Sequence, residues 1–187
     1  MSIPAPKAPT YQDLAALPET QIGEIVAGEL HATPRPAGPH AMACSAMGGT
    51  LIPPFQFGDR GPGGWWILDE PELHLGTDVV VPDLAGWRRE RLPEVPAGPF
   101  IDLTPDWICE ALSPSTARLD RVLKVPLYAR HGVKHLWIVD ALAQTLEVFR
   151  LEHAHWVLLS VHAGAEVIRA EPFEQIEIRL GRWWGER

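Results

Sequence analysis

The sequence predicts a mixed α/β domain, on three observations. Apolar residues make up 46% of its 187 positions and charged residues 21%, close to globular averages, so burial around one core can offset the entropy of ordering the chain. Short runs rich in Val, Ile, Leu and Trp alternate with segments rich in Pro, Gly and charge, as strands alternate with turns. Finally, an apolar run at 106–112, a helical stretch at 115–131 and a second apolar run at 135–140 follow one another as strand, helix and strand. Such a crossover joins parallel strands, which makes the central sheet a mixed one.

Residues 1–18 are expected to form a flexible tail and a short helix, and residues 19–187 a single domain. Met1 to Thr10 hold Pro4, Pro6 and Pro9 around Lys7 and lack the apolar centre of a signal peptide. Tyr11 to Leu17 reads as a helix stopped by Pro18, and Glu24 to Ala32, with Gly28 inside it, as a strand or hairpin. His40 to Leu51, between Pro39 and Pro53, is rich in Ala and Met and predicts a helix packed on the sheet.

The next strands are expected at Trp65 to Asp69, Leu73 to Leu75, Val79 to Trp87 and Asp106 to Leu112. Ser115 to His131 is the clearest helix, with Ser115 or Thr116 as its cap, Gly132 as its stop and a bend at Pro126. His135 to Asp140 returns as a strand. Thr145 to Leu151, Trp156 to Val161, Val167 to Ala170 and Ile176 to Leu180 then read as a C-terminal strand meander. Trp87, Trp107, Trp137 and Trp156 are expected in the core, and Trp183 with Trp184 over a subunit interface.

The two cysteines, Cys44 and Cys109, lie in apolar runs without disulfide or metal-ligand spacing, which suggests a reducing compartment. No apolar stretch approaches the roughly 18 residues that cross a bilayer. The expectation is a cytoplasmic protein with no membrane partner. The net charge of −8 argues against a strongly basic, sequence-blind nucleic-acid binder, yet residues 115–134 hold five Lys or Arg against one acidic residue.

Chemistry is expected where carboxylates interrupt apolar strands. Asp83 ends the run Val79, Val80, Val81, Pro82, and Glu110 breaks the run Trp107, Ile108, Cys109, Ala111, Leu112. An ionised carboxylate buried there costs several kcal/mol, on the order known for buried ions, unless a cation compensates it. A divalent ion such as magnesium would do so. Lys124 is the second source of positive charge, on a helix face with Asp120 one turn before it and Tyr128 one turn after.

The segments VVVPDLAGW, PDWICEALSPSTARLDRVLKVPLYARHGVKHLWIVD and TLEVFRL, in that order, resemble the Uma-type restriction endonuclease family of the PD-(D/E)XK nuclease superfamily. The resemblance runs over roughly residues 20–180 and is most specific between Asp106 and Asp140. It implies a restriction-endonuclease-like fold, a mixed central sheet flanked by helices, and a nuclease that cuts DNA with Mg2+ or Mn2+. Asp83 matches the aspartate of the Pro-Asp element and Glu110 the second acidic residue, and with the Ala111 carbonyl these two would hold the metal. Leu112 stands where the strict motif has lysine, so the resemblance implies a lysine relocated to the helix, at Lys124.

Glu29 and His40 fall on positions characteristic of the family and are accessory candidates. Glu24 and Asp120 rank below them, Asp120 because a helical ion pair with Lys124 accounts for it. Arg88, Arg89, Arg118 and Arg121 are candidates for weak contacts with backbone phosphates. A homodimer would suit the cutting of both strands of a duplex. The alternative is a catalytically inactive nuclease-fold protein serving interaction or regulation, which the overall acidity and Leu112 favour. A nuclease for RNA or single strands is a further possibility.

Overall fold

The computed structural model describes residues 8–35 and 38–186. Residues 1–7 of the expected tail lie outside that range. The first helix, α1 (Tyr11–Ala15), begins at Thr10, which exchanges side-chain and backbone hydrogen bonds with Asp13 in a capping box. The strands β1 (Gln21–Val26) and β2 (Glu29–Pro34) form an antiparallel hairpin. Its two-residue turn, Ala27 and Gly28, is left-handed at both positions, with φ of 53° and 81°. Asp78 anchors this turn by accepting the Ala27 N–H at 2.7 Å.

Helix α2 (Pro39–Leu51) continues as a wider π-helical segment, Ile52–Phe57. There follow β3 (Trp65–Asp69), β4 (Leu73–Leu75), β5 (Asp78–Val80) and β6 (Leu84–Arg88). The single strand expected over Val79 to Trp87 is thus two strands, which belong to different sheets. The cause lies at residues 81–83. Pro82 has no N–H for a ladder, and the Val81 N–H donates to the Glu24 carboxylate at 2.8 Å rather than to a neighbouring strand. Asp83 stands where the chain passes from one sheet to the other.

Next come β7 (Trp107–Leu112), buried along its whole length, and a helix whose two halves are a π-helical segment, Leu119–Lys124, and α3 (Val125–Arg130). The bend expected at Pro126 appears as this π register. A proline ring crowds the preceding turn and supplies no N–H, and the wider coil relieves both conflicts. Gly132, with φ of 77°, ends the helix. Strand β8 (His135–Asp140) lies parallel to β7, which is the crossover the sequence predicts. The hairpin β9 (Thr145–Glu152) and β10 (His155–Ala163) turns at His153 and Ala154.

The last strands, β11 (Val167–Ile168) and β12 (Ile178–Arg179), are shorter than expected and pair only with each other, so the meander is a hairpin plus a separate ribbon. A 3-10 turn over Leu180–Trp184 follows. The main sheet has six strands in the order β10-β9-β8-β7-β6-β3, and a smaller antiparallel sheet runs β2-β1-β5-β4. Among the described residues, no helix is long and apolar enough to cross a membrane.

Two cores cover the two faces of the large sheet. On one, Cys44, Met47 and Leu51 of α2 pack with Trp107, Trp137 and the C-terminal residues Phe173 and Trp183. On the other, Leu127 and Tyr128 of α3 pack with Ile108 and Ile138 and with Val26, Leu73 and Val80 of the smaller sheet. Trp183 is fully buried in the first core, which corrects its expected place at a subunit interface. Trp184 is half-buried and donates to the Gly164 carbonyl. Because side chains alternate along a strand, Cys109 and Ala111 face α2 whereas Glu110 faces α3.

Candidate functional site

That alternation brings Glu110 against the helix that carries Lys124. Lys124 Nζ lies 2.9 Å from Glu110 Oε1, 2.9 Å from Glu24 Oε1 and 3.5 Å from Asp120 Oδ1. The same ammonium donates to the Val81 carbonyl at 3.5 Å. Tyr128, one turn beyond, donates its hydroxyl hydrogen to Glu110 Oε1. All of this is sequestered: Glu110 and Lys124 are each 2% exposed and Glu24 4%.

The second half of the site is built around Asp83. Its Oδ2 accepts the Ala111 N–H at 2.7 Å, and its Oδ1 lies 3.2 Å from His40 Nε2. His40 stands in the first turn of α2. A strand residue directs its N–H and C=O to the same edge, so the Ala111 carbonyl faces the Asp83 side as well. Asp83, Glu110, Lys124, Glu24, Asp120 and His40 line one cleft of about 140 Å³, with Ser113, Ser115 and Thr116 at its rim.

The electrostatics follow from crowding several acids around one amine. Burial disfavours the Lys124 ammonium, but Glu110 and Glu24 outweigh it and raise the pKa well above the ordinary lysine value. Burial raises Glu110 well above the ordinary carboxylate value, against the pull of Lys124, and the charges of Asp120, Asp83 and Glu24 raise it further. Burial likewise raises Asp120, with Lys124 and a hydrogen bond from Thr116 opposing it. Burial pulls His40 down, yet Asp83 and the Ala111 backbone turn the balance and its pKa is raised. Burial and the charge of Asp83 push the Cys44 thiol up.

The cleft thus gathers Asp83, Glu110, Glu24 and Asp120 around one ammonium, with the His40 imidazole beside Asp83. Carboxylate oxygens with a backbone carbonyl beside them are the donor set of a hard divalent cation, which keeps water in its other positions. The residues present fit such an ion. Asp83 and Glu110 would be its ligands with the Ala111 carbonyl, on the edge that His40 now occupies.

Of the residues singled out in the sequence, Asp83, Glu110, Lys124 and His40 come together. Glu24 and Asp120, ranked lower there, join them in contact with Lys124. The signal for Asp120 was its one-turn spacing from Lys124. For Glu24 it was only an acid in an otherwise apolar strand. Glu29 does not join: it is exposed, within 4.0 Å of His31, beside a groove that also contains Arg118. Arg88 ends β6 and Arg89 follows it, roughly 16–20 Å from Asp83 at about 3.3 Å per residue. Their guanidinium groups stack over Trp65 and Trp66 respectively. Arg121 is paired with Glu147 through two hydrogen bonds.

No curated protein matches this chain. Among solved structures, it is similar to a "putative nuclease belonging to DUF820" from Anabaena variabilis ATCC 29413. The TM-score is 0.70 over 94% of this chain and 97% of the other, at 22% identity, a likeness of fold. A family model described as "Putative restriction endonuclease" matches residues 8–181. With that match spanning almost its entire length, the chain belongs to the Uma2 family.

Proposed function

We propose that this protein is a divalent-metal-dependent endonuclease that hydrolyses DNA phosphodiester bonds. The observation that supports this reading most is that Asp83 and Glu110, from neighbouring strands, line one cleft with the amine of Lys124. Family membership and fold support a nuclease; the metal, the substrate and the residue roles are inferred from the chemistry of the cleft.

In this reading Asp83, Glu110 and the Ala111 carbonyl hold Mg2+ or Mn2+. The bound ion supplies Lewis-acid polarisation of the scissile phosphate and a coordinated water of lowered pKa. Lys124, kept charged by Glu110 and Glu24, donates to the negative charge that develops on the phosphate oxygens. An ammonium has three N–H groups. Two are committed at 2.9 Å, and the third has only the long contacts to Asp120 and the Val81 carbonyl. That third proton, the most weakly held of the three, is the one that turns toward substrate in this reading. Glu24 and Tyr128 are positioning residues: Glu24 ties Lys124 to Val81, and Tyr128 fixes the Glu110 carboxyl.

The test is cleavage of supercoiled plasmid with Mg2+ or Mn2+. Wild type is expected to cut, and Asp83→Ala and Lys124→Ala to lose about 100-fold or more of the rate, the size of a lost transition-state donor. Unchanged cutting by both variants would overturn the assignment. The competing reading, a nuclease fold kept for interaction or regulation, draws on the net charge of −8 and on the internal engagement of Arg88, Arg89 and Arg121. A folded wild type that cuts neither duplex DNA, single strands nor RNA with either metal would favour it.

A further inference from the structure

Asp83 has a second set of neighbours, on the α2 side. His40 and Cys44 are one helical turn apart on α2, so their side chains share a face. Cys44 Sγ lies 3.7 Å from His40 Nδ1, and His40 Nε2 lies 3.2 Å from Asp83 Oδ1. One ligand atom from each of the three residues, a sulfur, an imidazole nitrogen and a carboxylate oxygen, lie within 4.8 Å of one another. Around a tetrahedral zinc ion, bond lengths of roughly 2.0–2.3 Å place such atoms about 3.3–3.8 Å apart. Cys44 approaches Nδ1 and Asp83 approaches Nε2, so a side-chain rotation must bring both to the one nitrogen that takes the ion. A cleft of about 200 Å³ that shares Arg35, His40 and Asp83 with the first opens onto these three residues and is also lined by Asp69 and Glu70. Glu70 is ion-paired with Arg35 at 3.2 Å, so the cleft gives an ion a path in and Asp69 as the carboxylate from which to draw a fourth ligand.

We propose that His40, Cys44 and Asp83 form a second cation position, one that takes a thiolate-accepting transition ion of the zinc class. Sulfur and imidazole nitrogen are poor ligands for magnesium and good ones for Zn2+ and Co2+, so the two positions differ in the ions they select. On binding, Cys44 gives up its thiol proton to solvent and its sulfur bonds to the ion. Asp83 is common to both positions. Zinc held here withdraws Asp83 and His40 from the Glu110 side and competes with Mg2+ or Mn2+. This competition rests on the proposed role of Asp83 in hydrolysis, whereas the zinc-class position itself does not.

The test is titration of the full chain with Co2+, read by absorption. Wild type is expected to show a thiolate-to-cobalt charge-transfer band together with the visible absorption of tetrahedral cobalt, reversed by Zn2+. Cys44→Ser removes the charge-transfer band and weakens cobalt binding by at least about 10–100-fold, the loss known for groups one step further from a metal. His40→Gln, a second variant in case the first fails to fold, also loses the tetrahedral signature. Glu110→Gln keeps the band, which separates this position from the one proposed for hydrolysis. Absence of a charge-transfer band in wild type, or a band that survives Cys44→Ser, would overturn the proposal. In a paired assay read by the paramagnetic resonance of free Mn2+, Zn2+ displaces bound Mn2+ from wild type at lower concentration than from Cys44→Ser. Equal displacement in both proteins would overturn the competition.

Discussion

Glu110 is buried among like charges, and burial lifts its carboxyl well above the ordinary range. A group whose pKa is raised on folding binds more protons in the native state than in the unfolded one. Its stability contribution is present at low pH and is lost as pH rises through the folded value. Glu110→Gln keeps the shape and removes the charge. In metal-free protein it is expected to raise the melting temperature by about 2–4 °C near neutral pH, equivalent to roughly 1 kcal/mol for a chain of this size. The gain over wild type shrinks toward pH 4.5. Thermal melts across that range check it, and a gain independent of pH would contradict the assignment.

Lys124 makes the reciprocal case. Lys124→Met leaves Glu24, Glu110 and Asp120 without their cation and is expected to cost about 3–5 kcal/mol in denaturant unfolding. Combining it with Glu110→Gln recovers part of the loss, because one of the stranded charges is gone. Additive effects in this double-mutant cycle, the double variant recovering no more than Glu110→Gln gains alone, would mean that the two side chains do not interact.

At the scale of elements, the site depends on two irregularities, and both are proline features. Pro82 lies in the break between two strands and Asp83 directly precedes the second, which belongs to another sheet; Pro126 accompanies the π-helical segment that presents Asp120 and Lys124 to Glu110. Pro126→Ala removes the cause of the wide coil. It is expected to weaken Mn2+ binding several-fold, as read by manganese-dependent thermal shift, with little loss of metal-free stability. Unchanged manganese binding would mean that the π register does not depend on Pro126.

These irregularities mark the limit of what was legible in the sequence. The crossover β7, α3 and β8 could be read from its apolar periods, and the termini of β3, β4 and β8 match their expected bounds, because those strands are uniform runs between clear breakers. The break at Pro82 was hidden because an apolar run looks the same whether it lies in one sheet or crosses two. The short ribbon of β11 and β12 was overread for a related reason: alternation signals a strand but not its pairing. Glu24 was underrated because its partners, Val81 and Lys124, are remote in sequence and only the fold brings them to it. Cys44 read as an ordinary core thiol until α2 placed it one turn from His40.

Over the whole molecule, negative charge dominates, and much of the basic residue count is engaged internally. Arg121 is committed to Glu147, and Arg88 and Arg89 to tryptophans. Arg118 lines the groove next to the cleft, and Ser115 borders both. Of the basic segment, Arg118 is therefore the expected phosphate contact. Arg118→Ala should weaken DNA binding and lower the dependence of log K on log salt by about one unit, and Arg121→Ala should leave that slope unchanged. Fluorescence anisotropy across a salt series distinguishes them, and equal slopes for wild type and Arg118→Ala would remove Arg118 from the interface.

In the proposed site Asp83, just before β6, and Glu110 of the neighbouring β7 share one divalent ion beside an amine brought by the following helix. A crystal of this protein soaked in Mn2+ tests it most directly through the anomalous signal of manganese. A peak is expected within bonding distance of both Asp83 and Glu110, with the Lys124 amine facing the same cleft. Manganese bound elsewhere, with none between those two residues at saturating concentration, would contradict it.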